Sequence, residues 1–172
     1  MAEVYWAARD LDGPPWGNHQ FIAIYLGESE NLLQTQTLEE SGTRFVTLGG
    51  HVLDGNLVFI ANQKADVQSV KEAINPSLAG FWSDYDLEKH KVTPKDGGGW
   101  RFALKVERAA YKYEQNTASS PVDYDLWDRN CATWVNTLLL VAGVPWADRM
   151  RAGEFNGIDW GEEEKIDRTL FE

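Results

Sequence analysis

The chain has 172 residues with eight Trp, seven Phe, six Tyr and a single Cys. That is enough apolar and aromatic mass to bury a core as one domain, 1–172, and it excludes intrinsic disorder. Asp and Glu outnumber Lys and Arg by 27 to 16, for a net charge of -11; with no basic cluster, this argues against binding nucleic acid or an anionic membrane surface.

The N-terminal stretch "MAEVYWAARDLDGPPWGNHQF" has no basic segment followed by an apolar one. The expectation is therefore a protein made in the cytoplasm, needing a signal-independent export route or lysis for any work outside the cell. The longest apolar run, "LLLVAGV", is too short to cross a bilayer, so no membrane insertion is expected. "GPPWGN" is turn chemistry and delivers the chain into "HQFIAIYLG", where apolar residues on both faces predict a central strand covered on both sides. In "TRFVTLGGHVLDGNLVFIANQ" the "LDGN" reads as a hairpin turn, and Gly49 and Gly50 suggest a bulge in its first strand. "ADVQSVKEAIN" carries Val67, Val70 and Ile74 at helical spacing and stops before Pro76.

After the turn "PKDGGGW", the alternation Trp100, Phe102, Leu104, Val106 predicts another strand, running into a helix over "VERAAYKYEQN". The loop "TASSPVDYDL" leads to a helix capped by Asn130 or Asp128. Its stripe is Cys131, Trp134, Val135, Leu138, Leu139 and Ala142, with Gly143 and Pro145 ending it. The acidic tail "DWGEEEKIDRTLFE" reads as peripheral. Strands and helices without regular alternation point to an α+β domain built on an antiparallel sheet packed against helices.

Cys131 has two readings. A free Cys on an apolar stripe is most simply a small buried hydrophobe. It also stands in the first turn of its helix, where unpaired N–H groups and the helix dipole stabilise a thiolate and can form an oxyanion hole. His19, opening the predicted central strand after a Pro/Gly turn, is an available base; its bland reading is a turn-end histidine bonded to backbone.

"GNHQFIAIYLG" followed by "YDLWDRNCATWVNTLLLVAGV" resembles the circularly permuted NlpC/P60 group of papain-like cysteine hydrolases, in which a His opens an early strand and a Cys opens a late helix. "TLGGHVLDGNLVFIANQKAD" is similar to small effector hydrolases of this type, particularly the peptidoglycan amidase effectors of type VI secretion. The resemblance implies a papain-like fold with Cys131 as nucleophile and His19 as general base, cleaving an amide in peptidoglycan stem peptides through an acyl-enzyme. It also implies an immunity protein as partner, and delivery by a specialised secretion system into a target-cell periplasm. For the residue that orients the imidazole, His51 and Thr47 are the candidates, with His51 favoured; no Asp stands plainly at that position.

Asn130 matches the motif but is read mainly as an N-cap, and Asn18 and Gln20, beside His19, are given no role. His90 lies in a charged segment and is read as neutral to function. Trp6, Trp16, Trp82, Trp146 and Trp160 could line a groove, although core is the commoner place for Trp. The chain carries no phosphate-binding loop, dinucleotide fingerprint or zinc-helix motif, "DGGGW" is a turn, and "GEEEK" reads as a solvated face, so no cofactor and no metal is expected. Two rival readings stay open. One is a lipid-directed thioesterase or acyltransferase of the same fold. The other is a non-catalytic binding or phage structural domain with Cys131 in its core.

Overall fold

A computed structural model of the chain describes residues 1–10, 18–79, 87–126, 128–153, 155 and 166–172. Within them a mixed α+β fold is built on an antiparallel sheet. Strands β1 (Glu3–Asp10), β2 (Asn18–Leu26), β4 (Thr43–Leu53), β5 (Asn56–Ala61), β6 (Leu87–Lys91) and β7 (Val122–Asp123) run in the order β6-β1-β2-β4-β5-β7, and β3 (Leu38–Glu40) adds to β4. The helices are α1 (Lys64–Ile74), α2 (Trp100–Thr117), α3 (Cys131–Val141) and α4 (Trp146–Ala152). Among the described residues no helix is long and apolar enough to cross a membrane.

The central strand is the one the sequence marks. Along β2, Phe21 and Ala23 face a smaller core with Ala7, Phe45 and Val70 of α1, whereas Ile22, Ile24 and Leu26 face the main core shared with α2 and α3. The side-chain period of two thus places α1 on one face of the sheet and α2 and α3 on the other. The hairpin is also as expected: Leu53 pairs with Asn56, and Asp54 and Gly55 take left-handed φ values of 51° and 80°, the conformation a two-residue turn of this kind requires.

Three expectations are corrected. First, no bulge interrupts β4 at Gly49 and Gly50, because the pairing runs unbroken from Leu48↔Ala61 to Leu53↔Asn56. The glycines serve close approach instead. A Cβ on Gly49 would lie 2.6 Å from His51 Nε2, and one on Gly50 would lie 2.7 Å from Trp134 Cγ. Gly50→Ala is therefore expected to cost about 1–3 kcal/mol by overpacking a fully buried indole. Gly98→Ala, with open space around it, should stay within about 0.5 kcal/mol of wild type. Urea titration of both variants checks the pair.

Second, "GWRFALKV" is the start of α2 and not a strand. Its alternation is outweighed by a longer helical stripe of buried residues: Phe102, Ala103, Val106, Ala109, Ala110, Tyr113 and Thr117. Third, the end of the acidic tail is not peripheral. Phe171 is buried, with its ring 4.8 Å from that of Tyr113 and 5.8 Å from that of Trp134.

Candidate active site

Helix α3 begins where the sequence places it. Asn130 Oδ1 accepts from the Thr133 backbone N–H at 3.1 Å, and Thr133 Oγ1 accepts from the Asn130 N–H at 2.9 Å. This reciprocal cap fixes Cys131 as the first helical residue. Behind it Trp134, Val135, Leu138 and Leu139 are fully buried, and a left-handed Gly143 closes the helix. Cys131 itself is only half-buried, so the stripe meets the surface at this residue.

That thiol lies against the first residues of β2. The Gln20 backbone N–H points at the sulfur, with N 3.4 Å from Sγ, and the Asn18 carbonyl oxygen lies 4.0 Å away. The His19 imidazole is within hydrogen-bonding reach of the sulfur on one side. On its other side, His19 Nε2 sits 3.4 Å from Asp66 Oδ2. The two sequence-predicted residues are thus brought together.

His51 joins them from β4. Its ring centroid is 4.4 Å from that of His19, and its Nε2 is 3.2 Å from the same Asp66 oxygen. These two Asp66 contacts are at ion-pair distance without being aligned as hydrogen bonds. Thr47, the other candidate, pairs across the ladder with Ala23 and is fully buried, with no hydrogen-bond partner for its Oγ1.

Asp66 is the residue the sequence reading missed, and it organises the cluster. It is fully buried on α1, and its Oδ1 accepts from Arg9 Nε at 2.8 Å. Arg9 comes from β1, where it stands opposite His19 in the ladder. Arg9, His19 and His51 therefore lie on three neighbouring strands on the sheet face that α1 covers, and Asp66 reaches all three. In the sequence an acid in the first turn of a helix reads as a complement to the dipole, which hides its role. The available signal was Asp66, Ser69 and Val70 at i, i+3, i+4, a buried face displaced from the expected stripe.

The charges follow from this packing. Burial alone would depress the His19 pKa, but the Cys131 sulfur and then the Asp66 carboxylate overcome it, and the ring is pushed up to about 9. Burial would raise the Cys131 pKa, yet the His19 charge and the Gln20 and Ala132 backbone N–H groups bring it below the usual thiol value. Asp66, despite its burial, is held well below the carboxylate range by its contacts with His19 and His51. His51 is lowered, chiefly by burial, with the His19 and Arg9 charges adding to that. The arrangement favours a thiolate beside an imidazolium, with an anion behind the imidazolium.

The remaining candidates fall outside this cluster. His90 is half-buried, its Nδ1 2.9 Å from the Ala152 carbonyl oxygen and its ring stacked on Phe155. Trp6 is buried and donates to Gln20 Oε1 at 2.9 Å, while Trp146 is exposed. Trp16, Trp82 and Trp160, and most of the "GPPWGN" turn, lie outside the described residues. Comparison of the chain with protein-family models, with curated proteins and with solved structures returns no match.

Proposed function

We propose that the protein is a thiol hydrolase of the papain-like, permuted NlpC/P60 type that cleaves an amide bond through an acyl-enzyme. The observation that carries this reading is His19 held between the sulfur of a half-buried helix-start cysteine and a buried carboxylate. In the reaction the Cys131 thiolate attacks the amide carbonyl carbon, and the Gln20 and Ala132 backbone N–H groups beside the sulfur are the available donors to the developing oxyanion. The C–N bond then breaks as the His19 imidazolium protonates the leaving amine. Neutral His19 next takes a proton from water, whose oxygen attacks the thioester and releases a carboxylic acid and the free thiol. Asp66 is a positioning residue: it holds the His19 ring and stabilises its charged form.

The proposed substrate is the peptide stem of bacterial peptidoglycan, supported by the resemblance of "TLGGHVLDGNLVFIANQKAD" to effector amidases. A delivered antibacterial effector with a cleft-blocking immunity protein is the matching biology. Purified sacculi incubated with wild type and with Cys131→Ala test this. New soluble muropeptides are expected from the wild type alone. None from the wild type overturns the substrate, and equal release by Cys131→Ala overturns the thiol mechanism.

A further inference from the structure

The polar atoms on the far side of His19 from the sulfur have a property that general-base chemistry does not require. His19 Nε2, His51 Nε2 and Asp66 Oδ2 are all buried, and none has an aligned hydrogen-bond partner. His19 is 6% exposed and Asp66 0% exposed. A catalytic histidine needs one orienting acceptor; here two imidazoles converge on a single carboxylate oxygen.

Two imidazoles and a carboxylate are a recurrent donor set for a first-row divalent cation. Bonds of about 2.0–2.1 Å at tetrahedral angles put neighbouring ligand atoms about 3.4 Å apart. The two measured separations to Asp66 Oδ2 are 3.4 and 3.2 Å, so two edges of such a polyhedron are already set. One ligand atom from each of the three side chains lies within 4.8 Å of the others, so a modest turn of the rings closes the third edge. The second carboxylate oxygen is already held by Arg9 at 2.8 Å, the kind of outer contact that fixes a ligating carboxylate. Gly49 supplies the room, since a Cβ there would lie 2.6 Å from His51 Nε2 and 3.3 Å from Asp66 Oδ2.

We propose that His19, His51 and Asp66 form a binding site for a divalent transition-metal ion such as Zn²⁺, and that its occupancy switches off the thiol. The second half rests on His19 being the general base. A cation on Nε2 leaves the ring hydrogen on Nδ1, and an imidazole in that state cannot take the proton of Cys131. The metal displaces a proton from each ring that carries one at Nε2, and no redox change is involved.

The site is tested on the full chain carrying Cys131→Ser, which removes the thiol as a competing ligand. Zn²⁺ titrated by calorimetry is expected to bind at one equivalent. Nitrogen NMR of the imidazoles should show both Nε2 resonances, of His19 and of His51, shifting together on binding. His51→Ala should weaken binding by at least tenfold. Absence of binding to Cys131→Ser, or binding that leaves either Nε2 unshifted, overturns the site whether or not His51→Ala folds. For the switch, one equivalent of Zn²⁺ should suppress muropeptide release from sacculi by the wild type at least tenfold, and a chelator should restore it. Unchanged release overturns the switch. A wild type that binds Zn²⁺ in this way but never hydrolyses an amide leaves the metal site standing and removes the hydrolase reading.

Discussion

At pH 6, His19→Ala slows the alkylation of Cys131 by iodoacetamide, by about tenfold for each unit by which the imidazolium holds the thiol pKa down. The size follows from the thiolate fraction. An unassisted thiol with a pKa of about 8.5 is under 1% ionised at that pH. In the wild type the thiol is held below its ordinary value by the adjacent imidazolium. The wild-type rate should therefore begin to fall at a lower pH than the variant's. The variant's rate should climb about tenfold per pH unit toward an ordinary thiol pKa.

Under the proposed mechanism, hydrolysis should behave differently at high pH. His19 loses its proton near pH 9, so turnover should decline there because the leaving amine is no longer protonated, while alkylation persists. Parallel pH profiles of the two rates measure both limbs. A wild-type thiol that alkylates no faster than His19→Ala at pH 6 rules out the ion pair. One that stays unlabelled until the protein unfolds returns Cys131 to the core.

Asp66→Ala is the second large expected effect, and it acts on stability as much as on reactivity. The substitution leaves the Arg9 guanidinium, 8% exposed in its side chain, buried without its carboxylate. Breaking a buried ion pair on one side costs about 3–5 kcal/mol. For a domain of this size each kcal/mol lowers Tm by about 2–4 °C. Asp66→Asn keeps the volume and one acceptor oxygen and should lose less.

The pH dependence has a definite sign. Asp66 has its pKa depressed in the folded state, so its contribution is present above the unfolded value of about 3.9 and is lost as pH falls further. The stability gap between wild type and Asp66→Asn should accordingly narrow in acid. His19 has the opposite sense: its pKa is raised, so its contribution is full below about 6.5 and disappears as pH climbs through about 9. Denaturant titrations at pH 3.5, 7 and 9.5 resolve the two. In Asp66→Asn the alkaline limb of hydrolysis should also move to lower pH, because His19 has lost the anion that holds its proton; a purely structural loss would leave that limb in place.

The parts of this fold that were legible in the sequence are those decided by local chemistry. The Asn130 cap, the Leu53–Asn56 turn, the two-faced β2 and the helix before Pro76 each follow from a few adjacent residues. The errors come from competition between levels. Over Trp100–Val106 a short alternation was outweighed by an eighteen-residue helical pattern. The double glycine looked like local backbone freedom, whereas its cause is a side chain from α3 and another from its own strand. The Cys131–His19 pairing was readable because both residues sit at element starts. Asp66 and Arg9 were not, since nothing local distinguishes a buried acid in a helix's first turn from a solvated one. Only the register that sets Arg9 opposite His19, with α1 laid across that face, gives the carboxylate its partners.

Because α3 lies on one face of the sheet and α1 on the other, the sulfur and the carboxylate that sandwich His19 belong to different layers of the protein. The thiol is separated along the chain from its Gln20 contact by 111 residues, and Arg9 from Asp66 by 57. No fragment containing Cys131 and its own helix can reproduce the acidic thiol. Until the sheet has closed and both layers have docked, the thiol should keep an ordinary acidity. Thiol acidity in this protein is consequently an index of the assembled fold, lost when either layer detaches even if α3 itself stays wound.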